Sequence, residues 1–161
     1  GPVPDSTFTV KPGKARITAQ GSDVTLVGIS AMQVECLAAR AYLNDIGVAA
    51  EVIDPIWLSP LDVDTITESV EKTGRLVVVD NGWTMCGAGA EIVAQVAERL
   101  MGVRDVRVQR MGFAPTTCPT TPVLEEPYYP NARTIAAAAR DLVEGTKTGW
   151  LPEENPAFTK V

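Results

Sequence analysis

Leu76-Val77-Val78-Val79 constrains the fold most: an unbroken apolar run with three valines offers no polar side chain to a wet sheet face. Such a run fits a strand of a parallel sheet covered by helices on both sides. The loop Asp80 to Cys86 follows it. From Gly87 onward, Ile92, Val93, Val96, Ala97 and Leu100 recur at helical spacing and predict a helix that presses one stripe onto the sheet. In open α/β sheets ligands and partners gather at the carboxyl ends of strands, so this loop is the first place to look for function.

The same alternation recurs along the chain. Ala15 to Thr18 reads as a short edge strand, and Gly21-Ser22-Asp23 turns the chain into the apolar run Val24 to Ile29. Ser30 with Gln33 has capping-box spacing, Val34, Leu37, Ala38 and Ala41 form the expected buried stripe, and Gly47 supplies a left-handed stop. Ala49 to Ile53 is the next strand, ended by Asp54-Pro55 because proline lacks the N–H a ladder needs. Asp62 caps a helix with Leu61 and Ile66 as a hydrophobic staple. Val63, Ile66 and Val70 face inward, and Gly74 closes the helix. Val106 to Met111 alternates apolar and polar residues, as a half-exposed edge strand would.

Prolines 115, 119, 122, 127 and 130 make Gly112 to Pro130 irregular. Asn131 then caps a last helix with Ile135, Ala138, Ala139, Leu142 and Val143 on one stripe and Gly145 at its end. Five strands and four helices follow, in a three-layer α/β/α sandwich, because parallel neighbours require crossovers that cover both faces. Residues 1–13 are expected to be a linker from an upstream domain, 14–145 the domain, and 146–161 a polar tail with Trp150 and Phe158 as anchors.

A net charge of −6 and the lack of a long basic block argue against nucleic acid or an anionic membrane as partner. No stretch approaches the roughly 20 apolar residues of a membrane-spanning helix. Cys36, Cys86 and Cys118 are odd in number, far apart and without a CxxC pair, which fits reduced thiols in the cytoplasm rather than disulfides or zinc. The absence of histidine removes the usual general base and the commonest metal ligand, and argues against unaided catalysis.

Gly87-Ala88-Gly89-Ala90-Glu91 opens a helix, where free N–H groups and the positive dipole end can hold an anion. A dinucleotide fingerprint would need a third small residue where Ile92 stands and would follow the first strand, so close helix–strand packing explains Gly87 and Gly89 better. The helix dipole accounts for Glu91. Trp83 either anchors an interface or covers the core edge. Cys86 has no base or cation nearby in sequence to activate it. Asp54, Asp62 and Asp80 sit at element ends, where capping and turn roles suffice.

Taken in order, Gly13-Lys14-Ala15, Gly21-Ser22-Asp23-Val24-Thr25-Leu26-Val27, Glu51-Val52-Ile53-Asp54, Leu58-Ser59-Pro60-Leu61-Asp62 and Thr73-Gly74-Arg75-Leu76-Val77-Val78-Val79 resemble the C-terminal domain of transketolase-like enzymes. The likeness is nearest to the β subunit of thiamine-diphosphate-dependent 2-oxo acid dehydrogenases of the pyruvate, branched-chain or acetoin type. Gly87 to Ile92, Leu124-Glu125 and Tyr129-Pro130-Asn131 continue it. The resemblance implies a five-stranded, mostly parallel sheet with the first strand antiparallel. Asp80-Asn81 departs from the His-Glu or acidic pair of many relatives, and Gly82-Trp83 is closer to the pyruvate branch.

The resemblance also implies a non-catalytic assembly domain with no catalytic, cofactor or metal residue of its own. Trp83, Gly87, Glu91, Gly89, Trp150 and Phe158 are its candidate interface residues. In the family, thiamine diphosphate and magnesium belong to the holoenzyme. The implied partners are the upstream pyrimidine-binding domain, the α subunit, a second β subunit and the dihydrolipoyl acyltransferase, so the chain is expected to be a homo-oligomer. The corresponding domain of a 2-oxo acid:ferredoxin oxidoreductase or a deoxyxylulose phosphate synthase, and a free-standing α/β binding or scaffold module, are the alternatives.

Overall fold

Successive residues of a strand point to opposite faces, and here both sets are apolar, so the central strands must be covered twice. In the computed structural model, which describes residues 7–158, they are. The strands are β1 Arg16–Ala19, β2 Val24–Gly28, β3 Ala50–Asp54, β4 Arg75–Val79 and β5 Arg107–Met111. They form one sheet in the order β1-β3-β2-β4-β5, with β1 antiparallel to β3 and the other pairs parallel. The three-layer fold and the antiparallel first strand are as the sequence leads one to expect. Residues 1–6 of the expected linker and 159–161 of the expected tail lie outside the described residues.

The helices are α1 Met32–Asp45, α2 Val63–Thr73, α3 Ala88–Leu100, α4 Pro122–Glu125 and α5 Ala132–Glu144. Val24, Leu26, Val52, Val77 and Val79 face the layer of α1 and α5, while Val27, Ile53, Leu76 and Val78 face Ile66, Val70, Ile92 and Val96 of α2 and α3. α4 and a following 3-10 turn, Glu126–Tyr128, lie within the stretch expected to be irregular, so five helices stand where four were expected. Proline at the first position of a helix costs nothing, because that N–H has no intrahelical partner, and Pro122 starts α4 in this way.

The ends of α2 and α5 follow their capping residues. Asp62 accepts from Thr65 N–H at 3.3 Å, and Gly74 closes α2 at a φ of +69°. Asn131 and Thr134 form a reciprocal box at the start of α5, which ends at Gly145 with a φ of +75°. The start of α1 differs from expectation. Ser30 has a φ of +57°, the N-cap is Ala31 without a side-chain bond, and Gln33 Nε2 instead donates to Thr18 Oγ1 at 2.6 Å. The buried face is thereby shifted: Met32, Cys36, Ala39 and Leu43 are buried and Val34 is exposed, while Ala38 is buried and Leu37 half-buried as expected. α1 packs against both the sheet and α5, which requires burial on two sides rather than one stripe. Ala97 in α3 is likewise exposed, although the spacing places it on the inner stripe. In α5, Ile135 and Ala139 are buried as expected, joined by Ala132 and Ala136.

Two carboxylates tie distant segments together. Glu51 is buried on β3, where burial alone would raise its carboxyl, but hydrogen bonds from Lys72 (2.6 Å), Ser69 and the Gly21 N–H hold it below the usual range. Asp62 is also buried, and bonds from the Ala15 N–H and from Thr65, with Lys14 nearby, depress its carboxyl. A depressed native carboxyl adds stability that is present above its unfolded value, about 4, and is lost as pH falls through the native one. The midpoint of thermal unfolding is therefore expected to hold steady from neutrality to about pH 5 and to fall below it as the unfolded carboxylates take up protons first. A midpoint that rose on acidification to pH 3, followed by circular dichroism, would contradict this assignment.

Candidate functional site

From β2 the chain crosses to β3 on one side, and from β3 it returns past β2 to β4 on the other. The strand order therefore reverses between β2 and β4, the position at whose carboxyl ends open α/β sheets take ligands. There the Ile29 N–H donates to the Val79 carbonyl at 2.9 Å. Ser30 after β2, Cys86 after β4 and Ile56 after β3 have φ values of +57°, +57° and +58°. Left-handed backbone at a residue with a side chain costs about 1–3 kcal/mol each, so neighbouring structure must hold these loops.

Glycines supply part of that hold. A Cβ on Gly87 would stand 2.0 Å from the Trp83 carbonyl oxygen, so the loop folds back against its own start. Gly89 does approach β4, since its Cβ would lie 3.2 Å from Val78 Cγ1. Gly87 and Gly89 thus differ: Gly89 lies against the strand, whereas Gly87 admits the loop carbonyl. Glu91 is exposed in the first turn of α3, and its Oε1 accepts from Gln95 at 2.7 Å. Asp80 is half-buried beside Gly82 and Gly87, and burial pushes its carboxyl up despite a bond from the Asn81 N–H. Asp54 accepts from the Ile56 N–H at 3.0 Å, which is the turn role expected of it.

Trp83 is 50% exposed and lies edge-on to Phe113, ring centroids 6.1 Å apart. Phe113 stacks on Tyr128 at 4.9 Å and meets Tyr129 edge-on at 5.3 Å. Beside these rings is a groove of about 350 Å³, lined by Thr84, Arg110, Phe113, Tyr128, Tyr129 and Thr134 among others. Arg110 ties the groove to the loop by donating to the Thr84 carbonyl. Phe113 and Tyr128 were not singled out from the sequence, and Tyr129 only within the resemblance rather than as a site residue. Their signal is the placing of aromatics at both ends of the proline-rich stretch.

Chemically, this end of the molecule offers contact area rather than a proton relay. The Cys118 thiol lies 3.6 Å from the Tyr129 hydroxyl, and their hydrogen bond, with some desolvation, pushes that phenol up to about 12. Such a group neither gives nor takes a proton near neutral pH. Among the described residues no group of three or more carboxylate, thiol or imidazole side chains converges as metal ligands do.

Trp150 and Phe158 make no ring contact with the Trp83 group. Arg140 lies 4.9 Å over the Trp150 ring, Phe158 meets Tyr42 of α1 edge-on at 4.9 Å, and Asn155 N–H donates to the Tyr42 hydroxyl at 2.9 Å. Both are half-buried and anchor the tail to α1 and α5. No helix among the described residues is long and apolar enough to cross a membrane.

The family model "Transketolase, C-terminal domain" matches residues 13–135. The β subunit of acetoin:2,6-dichlorophenolindophenol oxidoreductase from Cupriavidus necator is 42% identical over 91% of this chain and 44% of its own length. The pyruvate dehydrogenase E1 component subunit beta of Staphylococcus aureus is 37% identical over 88% of this chain and 43% of its own length. The chain thus spans less than half the length of these curated relatives. Among solved structures, "Split gene transketolase, inactive beta4 tetramer" superposes with a TM-score of 0.73 at 29% identity, covering 85% of this chain and 44% of that one.

Proposed function

Because the chain belongs to the transketolase C-terminal domain family, we propose that it is the assembly domain of the β subunit of a thiamine-diphosphate-dependent 2-oxo acid dehydrogenase. The observation that carries this reading is identity along nine-tenths of the chain to β subunits of the acetoin and pyruvate enzymes. In the assembled enzyme a 2-oxo acid is oxidatively decarboxylated and its acyl group passes to a lipoyl carrier. The domain's part is to hold the subunits together around a site built elsewhere. The higher identity to the acetoin β subunit favours a second reading, in which the same assembly cleaves a hydroxyketone.

The helix end at Gly87 does not fit the cofactor's diphosphate. Glu91 stands in the first turn of α3 and the Asp80 carboxyl lies beside Gly87, so both carry the sign that repels a phosphate from this helix end. Thiamine diphosphate and magnesium would be held by the pyrimidine-binding domain and the α subunit. Trp83 and its neighbouring rings are suited to face one of those partners, because aromatic groups supply much of an interface's energy. A second β subunit and the acyltransferase complete the proposed assembly, with the tail around Trp150 and Phe158 as the acyltransferase contact. Three free cysteines suit a reducing cytoplasm.

Calorimetric titration of the chain with thiamine diphosphate and magnesium is expected to show no binding heat. Addition of the upstream domain and α subunit is expected to restore binding. Tight binding by the chain alone would overturn the reading.

A further inference from the structure

The sheet has two edges, and they are treated differently. β1 is blunted: its register slips between Ile17 and Ala19, and Arg16 is ion-paired to Asp54 at 3.0 Å. Bulges and paired charges are how edge strands are kept from recruiting another chain. β5 has no such interruption. Its five residues keep regular parallel register with β4 from Arg107 to Met111, and its other side pairs with nothing among the described residues.

β5 is also only partly covered, by α3 on one face and α5 on the other. Arg107, Val108, Gln109 and Arg110 are all exposed, although the pattern of the sequence leads one to expect the valines inside; only Val106, just before the strand, is half-buried. A hollow of about 270 Å³ lies on the α3 side, lined by Val96, Leu100, Met101, Val106 and Val108. A second hollow of about 270 Å³ on the α5 side is lined by Arg107, Val108, Gln109, Leu142 and Lys147. The tract continues past Arg110 into the aromatic groove of Phe113, Tyr128 and Tyr129.

Its charge is unlike that of the rest of the molecule. The chain carries a net −6, yet Arg104, Arg107, Arg110 and Lys147 line this edge, and none makes an ion pair among the described residues. Among the described residues the Arg107 and Arg110 side chains donate only to the Leu142 and Thr84 carbonyls. Asp105 and Asp141 also border the tract, but Asp141 is already engaged by the Thr148 N–H and hydroxyl at 2.8 and 2.7 Å. Full antiparallel pairing with the β5 of a second copy would set Arg107 opposite Met111 and Val108 opposite Arg110, gathering the arginines of both strands at one seam with no carboxylate on either strand to pair them.

We propose that the free edge of β5 receives an extended, acid-bearing segment of a partner protein as an added strand. The open backbone supplies the ladder, Arg107 and Lys147 on the α5 side select acidic residues, and the apolar hollow of Val96, Leu100 and Val108 on the α3 side takes the residues that alternate with them. This inference needs only the chain's own edge and stands whether or not the enzyme assignment above holds.

The test uses the full 161-residue chain and a short peptide alternating glutamate and valine, with a lysine-for-glutamate peptide as its counterpart. Amide hydrogen exchange is the readout. The glutamate peptide is expected to slow exchange across Arg107–Met111, and the lysine peptide to leave it unchanged. Raising salt from about 0.05 to about 0.3 M should weaken the protection roughly tenfold, since exposed charges are screened over this range. Val108→Glu, in which circular dichroism checks the fold, should abolish the protection; the salt series on the unaltered chain tests the proposal even if that variant misfolds. No protection, equal protection by both peptides, protection confined to β1, or β5 protection that grows with protein concentration alone would each overturn it. The last result would mark a second copy as the occupant.

Discussion

Gly21→Ala is expected to destabilise the chain by about 3 kcal/mol and to lower its urea midpoint sharply. Gly21 stands in the turn before β2, and a Cβ there would lie 2.2 Å from the Ala50 carbonyl carbon and 2.3 Å from Glu51 N. Both are backbone atoms, so no rotamer change relieves the contact. The turn is fastened on every side: Ser22 and Asp23 N–H donate to the Ala49 carbonyl at 3.0 and 2.9 Å, Ala49 N–H donates to Asp23 Oδ2 at 2.7 Å, and Gly21 N–H reaches Glu51. The methyl must push β3 away from the entry to β2, at a cost of about 3 kcal/mol for forced overpacking. Gly47→Ala is the control: Gly47 has a φ of +76° but open space around it, so only the left-handed penalty of about 1–2 kcal/mol applies. Urea midpoints of the two variants that coincide would refute the argument.

Ile135→Ala is expected to cost about 2–5 kcal/mol, the range for truncating a fully buried aliphatic side chain. Ile135 is 0% exposed and sits where α5 meets α1 and the sheet. Its buried neighbours along the helix are the small residues Ala132, Ala136 and Ala139, so Ile135 is the largest buried side chain α5 contributes. Collapse around the missing methylenes is restricted because α1 is itself wedged against the sheet. Val123→Ala, at a site 81% exposed, should stay within about 0.5 kcal/mol of the parent. Thermal unfolding of both variants checks the pair, and equal midpoints would show that α5 is not part of the cooperative core.

The strands were legible because burial on both faces leaves a run of valines little choice, and α2 and α5 because Asp62 and Asn131 cap them through local bonds. α1 was misphased because its first turn is set by a distant partner. Gln33 reaches Thr18 of β1 rather than boxing with Ser30, which no local pattern reveals. β5 defeated the alternation rule for a related reason: Val108 is placed by spacing alone on an inner face, yet α3 leaves it 37% exposed beside Val96 and Leu100. The loop at the end of β4 was marked by strand position, but the rings that join Trp83 come from Phe113, Tyr128 and Tyr129, remote in sequence. Gly87 was read as a helix–strand contact, and only the built backbone reveals the Trp83 carbonyl beside it.

One bond joins residues 97 apart in sequence: Glu35 Oε2 accepts from the Ala132 N–H at 2.7 Å, joining the start of α1 to the start of α5. A carboxylate there satisfies a free N–H and faces the positive end of the α5 dipole. During synthesis, therefore, α1 leaves the ribosome long before the helix that completes its layer. The valine-lined face of β2 and β4 stays without its second cover until the chain through α5 has emerged. At about 5–20 residues per second, nearly 100 residues of delay amount to about 5–20 s of exposed apolar surface. Apolar surface exposed over such an interval is what makes a partly made chain prone to aggregate.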